Sequence, residues 1–203
     1  MATIKIIPVD SKDKERAVEI LLAAFEQDPL MSYFFGNEYH NLAKYVMEYV
    51  CNLPSLSNSV LWGAFVEEKL AGVALVTPPK AKEQNRQEAI ALADEQLAIA
   101  IGEAVITRME TYFQIKDANK PKQPHFYLDI LAVSPECQGR GVGKALLETI
   151  HKMSESSPQS VGVALDTENE DNLDLYRRFG YSLSTTTKLD RLTIWSMFRS
   201  QTI

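Results

Sequence analysis

The fold is decided by the stretch HFYLDILAVSPECQGRGVGKAL, residues 125–146. An apolar run typical of a buried β-strand ends at Ser134, and a glycine-rich turn then leads into a helical pattern over residues 143–156. A second apolar strand pattern, residues 160–167, follows that helix after a short turn. Strand, helix and strand with short connections predict a pair of parallel strands with a crossover helix.

The glycine turn has the composition of an anion-binding site. Glycines permit positive φ angles, so that successive backbone N–H groups converge on one point, and a helix start adds about half a positive charge. A tight strand-to-helix connection is the alternative explanation, but the flanking Arg140 and Lys144 favour an anion site. Spacing excludes a Walker A loop, which requires Gly-x4-Gly-Lys-Ser/Thr. The residue five positions before Gly143 is Gln138 and not glycine, and the residue after Lys144 is Ala145 and not serine or threonine. Spacing also excludes the dinucleotide fingerprint, whose third glycine would come one residue later.

The strand before the turn carries polar side chains on one predicted face. Strict alternation places five residues on that face (His125, Tyr127, Asp129, Leu131, Val133) and four apolar residues on the other (Phe126, Leu128, Ile130, Ala132). The polar groups either pair with neighbouring backbone or an arginine, or they line a site in which one acts as general base. Unperturbed imidazole, with a pKa of about 6.5, suits that role better than aspartate at about 3.9. Position favours Asp129, which is nearer to the turn, so both residues remain candidates.

The rest of the chain contains further strand and helix patterns. A proline and an aromatic cluster, DPLMSYFFGN (residues 28–37), interrupt the first helical pattern, and Gly102 is expected to break a long helical one. Strands are predicted over residues 3–9, 60–66, 71–77, 181–189 and 191–198, the second and third joined as a hairpin at residues 67–70. Helices are predicted from residue 10 or 11 to 25 and over 38–51, 82–113 and 169–180, and a loop over 117–124.

Bulk composition narrows the classes of function. The length of 203 residues predicts a single domain, 1–203, and 45% hydrophobic with 24% charged residues is ordinary globular composition. A net charge of -6 argues against a broad nucleic-acid interface. Two distant cysteines and three histidines without metal-binding spacing predict a reducing cytosol and no metal site. Because no signal core and no membrane span is found, we expect a cytoplasmic protein that binds no membrane.

Two motifs in this order resemble the GNAT superfamily of acetyl-CoA-dependent N-acetyltransferases: LDILAVSPECQGRGVGKALLE (residues 128–148) and LDTENEDNLDLYRRFGY (residues 165–181). The first contains the superfamily's Gln/Arg-x-x-Gly-x-Gly/Ala signature. In the second, an asparagine is followed by a tyrosine and a terminal Gly-Tyr. The matching residues are Gln138, Gly141 and Gly143, and then Asn169, Tyr176, Gly180 and Tyr181.

The resemblance implies a mixed α/β (α+β) GNAT fold: a mostly antiparallel twisted sheet of about seven strands with a splayed parallel pair and helices on both faces. It also implies acetyl-CoA as cosubstrate, with Tyr176 as the acid that protonates the departing thiolate. Asn169 would contact the cofactor or only cap a helix. The pantetheine arm would lie on Leu131, Ala132 and Val133, and the pyrophosphate on Gln138, Gly139, Arg140, Gly141, Val142, Gly143 and Lys144.

The N-terminal segment AFEQDPLMSYFFGN, residues 24–37, is similar to the acceptor-side segment of puromycin-type GNAT members. Its aromatic residues, Tyr33, Phe34 and Phe35, are better explained as core, and Asp28 as a turn residue. Cys137 lies near the expected thioester, but direct transfer requires no nucleophilic cysteine, so we expect it to be a bystander.

The function expected is acetyl transfer from acetyl-CoA to a primary amine of a small molecule by direct attack, in a monomer or homodimer. Three alternatives remain. One is another acyl transfer on the same fold, to a protein N-terminus, a lysine or an alcohol, or with a longer acyl chain, and another is a non-catalytic CoA-binding module. A phosphate-binding domain for another nucleotide is a third. The acceptor, the general base and the role of the 82–113 stretch are left open by the sequence.

Overall fold

The protein is built on one sheet of seven strands in the order β1-β2-β3-β4-β5-β7-β6. The computed structural model describes residues 3–79 and 87–201. All neighbouring strands are antiparallel except β4 and β5, which are parallel. The strands are β1 Ile4–Pro8, β2 Val60–Val66, β3 Lys69–Thr77, β4 Phe126–Val133, β5 Gly162–Thr167, β6 Ser182–Leu189 and β7 Leu192–Ser200.

Helices cover both faces of the sheet, and each face has its own hydrophobic core. The helices are α1 Lys14–Phe25, α2 Pro29–Phe35, α3 Tyr39–Leu56, α4 Gln87–Ile101, α5 Glu103–Asn119, α6 Val142–Glu155 and α7 Asn172–Arg178. The first five pack side chains such as Leu21, Met47 and Met109 against one face. Helices α6 and α7 pack Leu146, Ile150 and Tyr176 against the other. The expected fold class is confirmed.

Strand β4 does not alternate strictly, which corrects the predicted division of its faces. Its pairing with β3 shifts by one residue, because Leu75 lies opposite Ile130 whereas Val76 lies opposite Leu128. Asp129 is therefore the extra residue of a β-bulge, and every side chain after it changes face. Phe126 and Leu128 pack with Leu131 and Val133 in the core under α6, while Ile130 and Ala132 belong to the core on the other face.

Helix α1 ends at Phe25, so the predicted interruption is confirmed, but the aromatic segment that follows forms a helix of its own, α2. Asp28 caps α2, since its Oδ1 accepts a hydrogen bond of 2.8 Å from the Leu30 N–H, and Pro29 occupies the first helical position. Gly36, with φ of 54°, ends the helix. Phe34 and Phe35 are buried, in agreement with the core explanation of these rings.

The long helical stretch is two helices that meet at Gly102, as the sequence predicted. Gly102 has φ of 81°, a conformation that breaks the helix. Helix α5 then runs to Asn119, six residues beyond the predicted end, because the first residue that excludes a helix is Pro121. The predicted start of the stretch, residues 82–86, lies outside the described residues.

Candidate active site

A cleft opens between the parallel strands β4 and β5. They pair only over Phe126–Leu128 and Val163–Leu165 in the described structure. Beyond that point β4 remains paired with β3, whereas the last residues of β5, Asp166 and Thr167, remain paired with β7. Leu131, Ala132 and Val133 therefore lie on the part of β4 whose edge toward β5 is open, so backbone groups there are available to a ligand.

The glycine turn forms a backbone concavity at the end of this cleft. Gly139 and Gly141 have φ of 72° and 84°, and Gly141 directly precedes α6. No backbone carbonyl or capping side chain of the described chain accepts from the N–H groups of residues 139–144. A Cβ at Gly139 or Gly141 would meet nothing within 4 Å, so these glycines are needed for their φ angles and not for packing. The turn can therefore hold an anion by successive N–H groups.

The side chains around the turn are exposed to solvent or contact strand β4, which precedes the turn. Arg140 is exposed, and Lys144 is exposed with Glu148 Oε1 3.7 Å from its Nζ. Gln138 donates from Nε2 to the Val133 carbonyl over 3.4 Å. The Cys137 thiol is free and partly exposed. The two cations are thus accessible to a ligand at the turn.

A cavity of about 460 Å³ adjoins the cleft, lined by residues of β4 and β5 just beyond their last pair. Four carboxylates line it (Asp28, Asp129, Asp166, Glu168), with Lys116 as the one cationic side chain among the described lining residues. Tyr112 and Tyr176 also contribute to the wall. The excess of carboxylates favours a positively charged guest.

Glu168 has the most perturbed carboxyl group in the cavity. It follows the carboxyl end of β5, and its Oε1 accepts a hydrogen bond of 2.9 Å from the Tyr112 hydroxyl. Burial raises the pKa of Glu168 to about 8, and the negative charges of Asp166 and Asp28 act in the same direction. A carboxyl group that titrates near neutral pH in a cavity is a candidate general base. The sequence analysis did not select it.

Tyr176 lies in the wall of the cavity, on α7. Its ring packs edge-on against Tyr181, with 5.6 Å between centroids, and Tyr181 is held by a hydrogen bond of 3.1 Å between its hydroxyl and His151 Nε2. Burial raises the pKa of the Tyr176 phenol, with further contributions from the charges of Glu168 and Asp28. The phenol makes no hydrogen bond within the described chain, so it is free to donate to a ligand.

Asp129 faces the cavity, but both of its carboxylate oxygens have partners. Lys116 Nζ lies 3.0 Å from Oδ1, and the Thr77 hydroxyl donates to Oδ2 over 2.6 Å. The ammonium group of Lys116 also lies 4.5 Å from the centre of the Tyr127 ring. These contacts fix Asp129 at the bulge as the partner of a cation.

We expect Asp129→Asn to destabilise the fold by about 3–5 kcal/mol, because it leaves the Lys116 charge buried without its counter-ion. Urea denaturation of this variant, Lys116→Met and the double variant measures the effect. The double variant should recover most of the loss. If both single variants unfold at the same urea concentration as the parent protein, the pair contributes no stability.

His125 lies outside this cavity. It precedes β4 and lines a separate recess of about 330 Å³, together with Lys120 and Lys122. Its Nδ1 is 2.7 Å from the Gln123 carbonyl oxygen. Asp129 borders both spaces, so the structure brings Asp129 and Tyr176 to the cavity but not His125.

Asn169 lies between β5 and α7, and its side chain serves the turn. Its Oδ1 accepts a hydrogen bond of 3.0 Å from the Asp171 N–H, and its carbonyl accepts from the Asn172 N–H over 3.1 Å. Asn169 is not among the residues that line the cavity. The N-cap of α7 is Asp171, without a capping side chain, so Asn169 forms a turn ahead of the helix and neither of the two roles considered for it is shown.

Comparison with known proteins gives a family match for part of the chain. The family model described as acetyltransferase (GNAT) domain matches residues 86–183, which include the glycine turn, the cleft and α7. Residues 86–183 are similar to a GNAT acetyltransferase domain. This match confirms the expected enzyme class, an acetyltransferase. The resemblance to puromycin-type members is not confirmed.

Solved structures of low sequence identity share the whole fold. A histone acetyltransferase HPA2 and related acetyltransferase from Corynebacterium glutamicum is 21% identical with a TM-score of 0.72, covering 100% of this chain and 98% of its own. A polyamine N-acetyltransferase from Drosophila melanogaster that forms N-acetylagmatine is 19% identical with a TM-score of 0.66, covering 97% and 98%. An agmatine N-acetyltransferase is 18% identical with a TM-score of 0.64, covering 96% and 97%.

Two further properties concern the described residues alone. They contain no group of three or more His, Cys, Asp or Glu side chains placed to hold a metal ion. None of their helices combines the length and the apolar character that crossing a bilayer requires.

Proposed function

We propose that the protein transfers the acetyl group of acetyl-CoA to a primary amine of a small molecule by direct attack. The observation that carries this proposal is the carboxylate-lined cavity at the open end of the β4–β5 cleft, beside a turn of unpaired backbone N–H groups. The acidic lining suits a cationic acceptor, and the turn suits the pyrophosphate of the donor. Two of the structural neighbours act on small amines, which supports the same substrate class.

In this proposal the donor spans the cleft. The pantetheine arm pairs with the open edge of β4 at Leu131, Ala132 and Val133. The pyrophosphate rests on the turn, contacted by residues Gln138, Gly139, Arg140, Gly141, Val142, Gly143 and Lys144. The two accessible cations of the turn then contribute charge to the bound anion. The thioester is thereby directed to the cavity, at the end where Tyr176 and Glu168 lie.

Glu168 is the general base in this proposal, and Tyr176 assists the departing thiolate. The carboxylate accepts a proton from the amine, whose nitrogen attacks the acetyl carbonyl, and the C–S bond breaks with its electron pair on sulfur. The Tyr176 phenol stabilises the developing thiolate by a hydrogen bond. Asp129 and His125 were selected as bases from the sequence. Glu168 is preferred to them because Asp129 is paired with Lys116 and His125 lies in the separate recess.

The test is an acetyl-CoA assay that measures free thiol release with a panel of amines. Calorimetry with acetyl-CoA and with ATP tests the donor. Acetyl-CoA binding without thiol release from any acceptor would favour the non-catalytic CoA-binding module. Equal competition by ATP would overturn the donor assignment.

We expect Gly141→Ala to raise the Kd of acetyl-CoA about tenfold. The φ of 84° at Gly141 costs an L-residue about 1–2 kcal/mol, so the turn relaxes away from the geometry that presents its N–H groups. Isothermal titration calorimetry measures the change. Gly143→Ala is the matched control, because Gly143 has no positive φ and its Cβ would make an ordinary contact of 3.5 Å with Val133. Equal effects of both changes would show that φ at Gly141 is not the determinant.

A homodimer and a cytoplasmic location remain predictions. Light scattering of the purified protein tests the first, and imaging of a fluorescent fusion tests the second.

A further inference from the structure

Tyr112, on α5, is the one side chain of the described residues that hydrogen-bonds to Glu168. Its hydroxyl donates to Oε1 over 2.9 Å. The phenol is 4% exposed, and its ring packs edge-on against Phe34 of α2 with 5.5 Å between centroids. Because the ring is held in the core between α2 and α5, packing determines where the hydroxyl lies, and the carboxyl group adapts to it.

This hydrogen bond gives the two oxygens of Glu168 different roles. Oε1 is occupied by Tyr112, so Oε2 is the oxygen left to accept a proton from an amine. Burial raises the pKa of the Tyr112 phenol well above its ordinary value, and the charges of Glu168 and Asp166 act in the same direction. The phenol therefore keeps its proton and donates to Oε1 at every pH at which the protein works. Its hydrogen bond is stronger to the carboxylate than to the carboxylic acid.

Titratable groups of β4, β5, α5, α7 and the start of α2 face Glu168: Tyr127, Asp166, Tyr112, Lys116, Tyr176 and Asp28. Burial has the largest effect on Glu168 and raises its pKa. The hydrogen bond from Tyr112 comes next and lowers the pKa, because it stabilises the charged form. The two aspartates raise it, and Lys116 lowers it. Tyr112 is thus the strongest of the influences that favour the carboxylate.

Resting on the proposed function, we propose that Tyr112 is a positioning residue for the general base: its hydrogen bond directs Oε2 of Glu168 toward the amine and keeps the carboxylate form available near neutral pH. The hydroxyl neither takes nor gives up a proton in the reaction. The proton that the amine loses forms a bond to Oε2 and passes from there to solvent. Without the hydrogen bond, the carboxylate would form only at a higher pH.

Tyr112→Phe tests the proposal through the pH dependence of turnover. The measured quantity is the ratio of kcat/KM in the variant to that in the parent, for thiol release from acetyl-CoA with one amine between pH 6 and pH 10. Ionisation of the amine cancels in this ratio, because it is common to both proteins. We expect a ratio of about 0.1 at pH 7, which corresponds to an upward shift of about one pH unit in the ionisation of Glu168. The ratio should rise toward 1 at pH 10, where the carboxyl group is ionised in both proteins.

Tyr39→Phe is the matched control. Tyr39 is also buried, and its ring packs edge-on against Phe35 of α2 with 6.0 Å between centroids, but its hydroxyl donates to the Leu22 carbonyl and it does not line the cavity. Its ratio should not change with pH. A ratio for Tyr112→Phe that is constant with pH would show that the phenol supports only the fold, and would overturn the inference while leaving the proposed function intact. Absence of thiol release by the parent with every amine would instead overturn the proposed function.

A second readout needs no substitution of Tyr112. In protein labelled with ¹³C at the Cζ atom of tyrosine, the NMR resonance of Tyr112 should move as the pH passes through about 8, because its acceptor changes from a carboxylic acid to a carboxylate. Glu168→Gln should abolish this movement, and the resonance of Tyr39 should stay fixed over the same range. A Tyr112 resonance that does not move in the parent would overturn the inference, even if Tyr112→Phe fails to fold.

Discussion

Glu168→Gln is expected to lower kcat/KM for amine acetylation on the order of 100-fold or more, the usual contribution of a positioned general base. Glutamine keeps the shape of the side chain and can still accept the hydrogen bond from Tyr112, but it cannot take a proton. Thiol release measured with acetyl-CoA and a reactive amine gives the change. The proposed assignment predicts little change in acetyl-CoA affinity.

The pH profile distinguishes a base from a side chain that only positions the amine. Because burial raises the pKa of Glu168 to about 8, the parent activity should rise with pH up to that value as the carboxylate forms. The variant should lose the pH dependence that comes from Glu168. It should keep only the pH dependence that comes from deprotonation of the amine substrate, which both proteins share. Glu170→Gln, two residues away, exposed and outside the cavity lining, is the control and should behave as the parent. A variant that retains both the rate and the profile would remove Glu168 from the mechanism.

The same substitution should stabilise the protein at alkaline pH. The carboxyl group has an ordinary pKa of 4.5, and burial raises the pKa in the folded state to about 8, so the folded protein binds this proton more tightly than the unfolded chain. The stabilising contribution is complete below pH 4.5 and is lost as the pH rises through 8. Urea denaturation at pH 9 should show Glu168→Gln more stable than the parent by an amount on the order of a few kcal/mol, with little difference at pH 4.5. Equal stability at both pH values would contradict the raised pKa.

The fold could be predicted from the sequence because its signals are local. The glycine turn between a buried strand and an amphipathic helix fixes the β4–α6–β5 crossover, and Gly102 and Pro121 set the boundaries of α5. The bulge at Asp129 could not be predicted, because strict alternation cannot reveal one extra residue whose position depends on pairing with β3. The helix α2 was also not predicted from residue propensities, because its start is determined by the cap Asp28 and by Pro29.

Only part of the candidate site could be predicted from the sequence, for a similar reason. Cleft and turn residues form contiguous motifs, and the structure brings them together. Glu168 is adjacent in sequence to Asn169, yet its significance depends on Tyr112, which is distant in the chain, and on burial in a cavity closed by α2 and α5. Such an environment arises only from tertiary packing, which sequence patterns do not report. The position of an acidic residue at the carboxyl end of a central strand is the signal that could have selected it.

Tyr176→Phe is expected to lower kcat on the order of 100-fold while leaving the Kd of acetyl-CoA nearly unchanged. The phenol has no hydrogen-bond partner in the described chain, so removing its oxygen costs the fold little, and the ring still packs against Tyr181. Single-turnover thiol release measures the step, and calorimetry measures binding. Tyr181→Phe is the matched control: it makes the same change in the same aromatic cluster, removing only the hydrogen bond to His151. If both variants lose the same activity, the cluster acts through packing.

The raised pKa of Tyr176 determines which role the phenol can have in the reaction. Burial and the charges of Glu168 and Asp28 raise it above the ordinary value of about 10, whereas an unperturbed thiol has a pKa of about 8.5. Full proton transfer from the phenol to the thiolate is therefore uphill, and the phenol acts mainly as a hydrogen-bond donor that strengthens as charge develops on sulfur. Turnover of the parent should then show no loss up to pH 10, since the phenol remains protonated there. A loss of activity below pH 10 that Tyr176→Phe abolishes would show instead that the phenol titrates and must hold its proton for transfer.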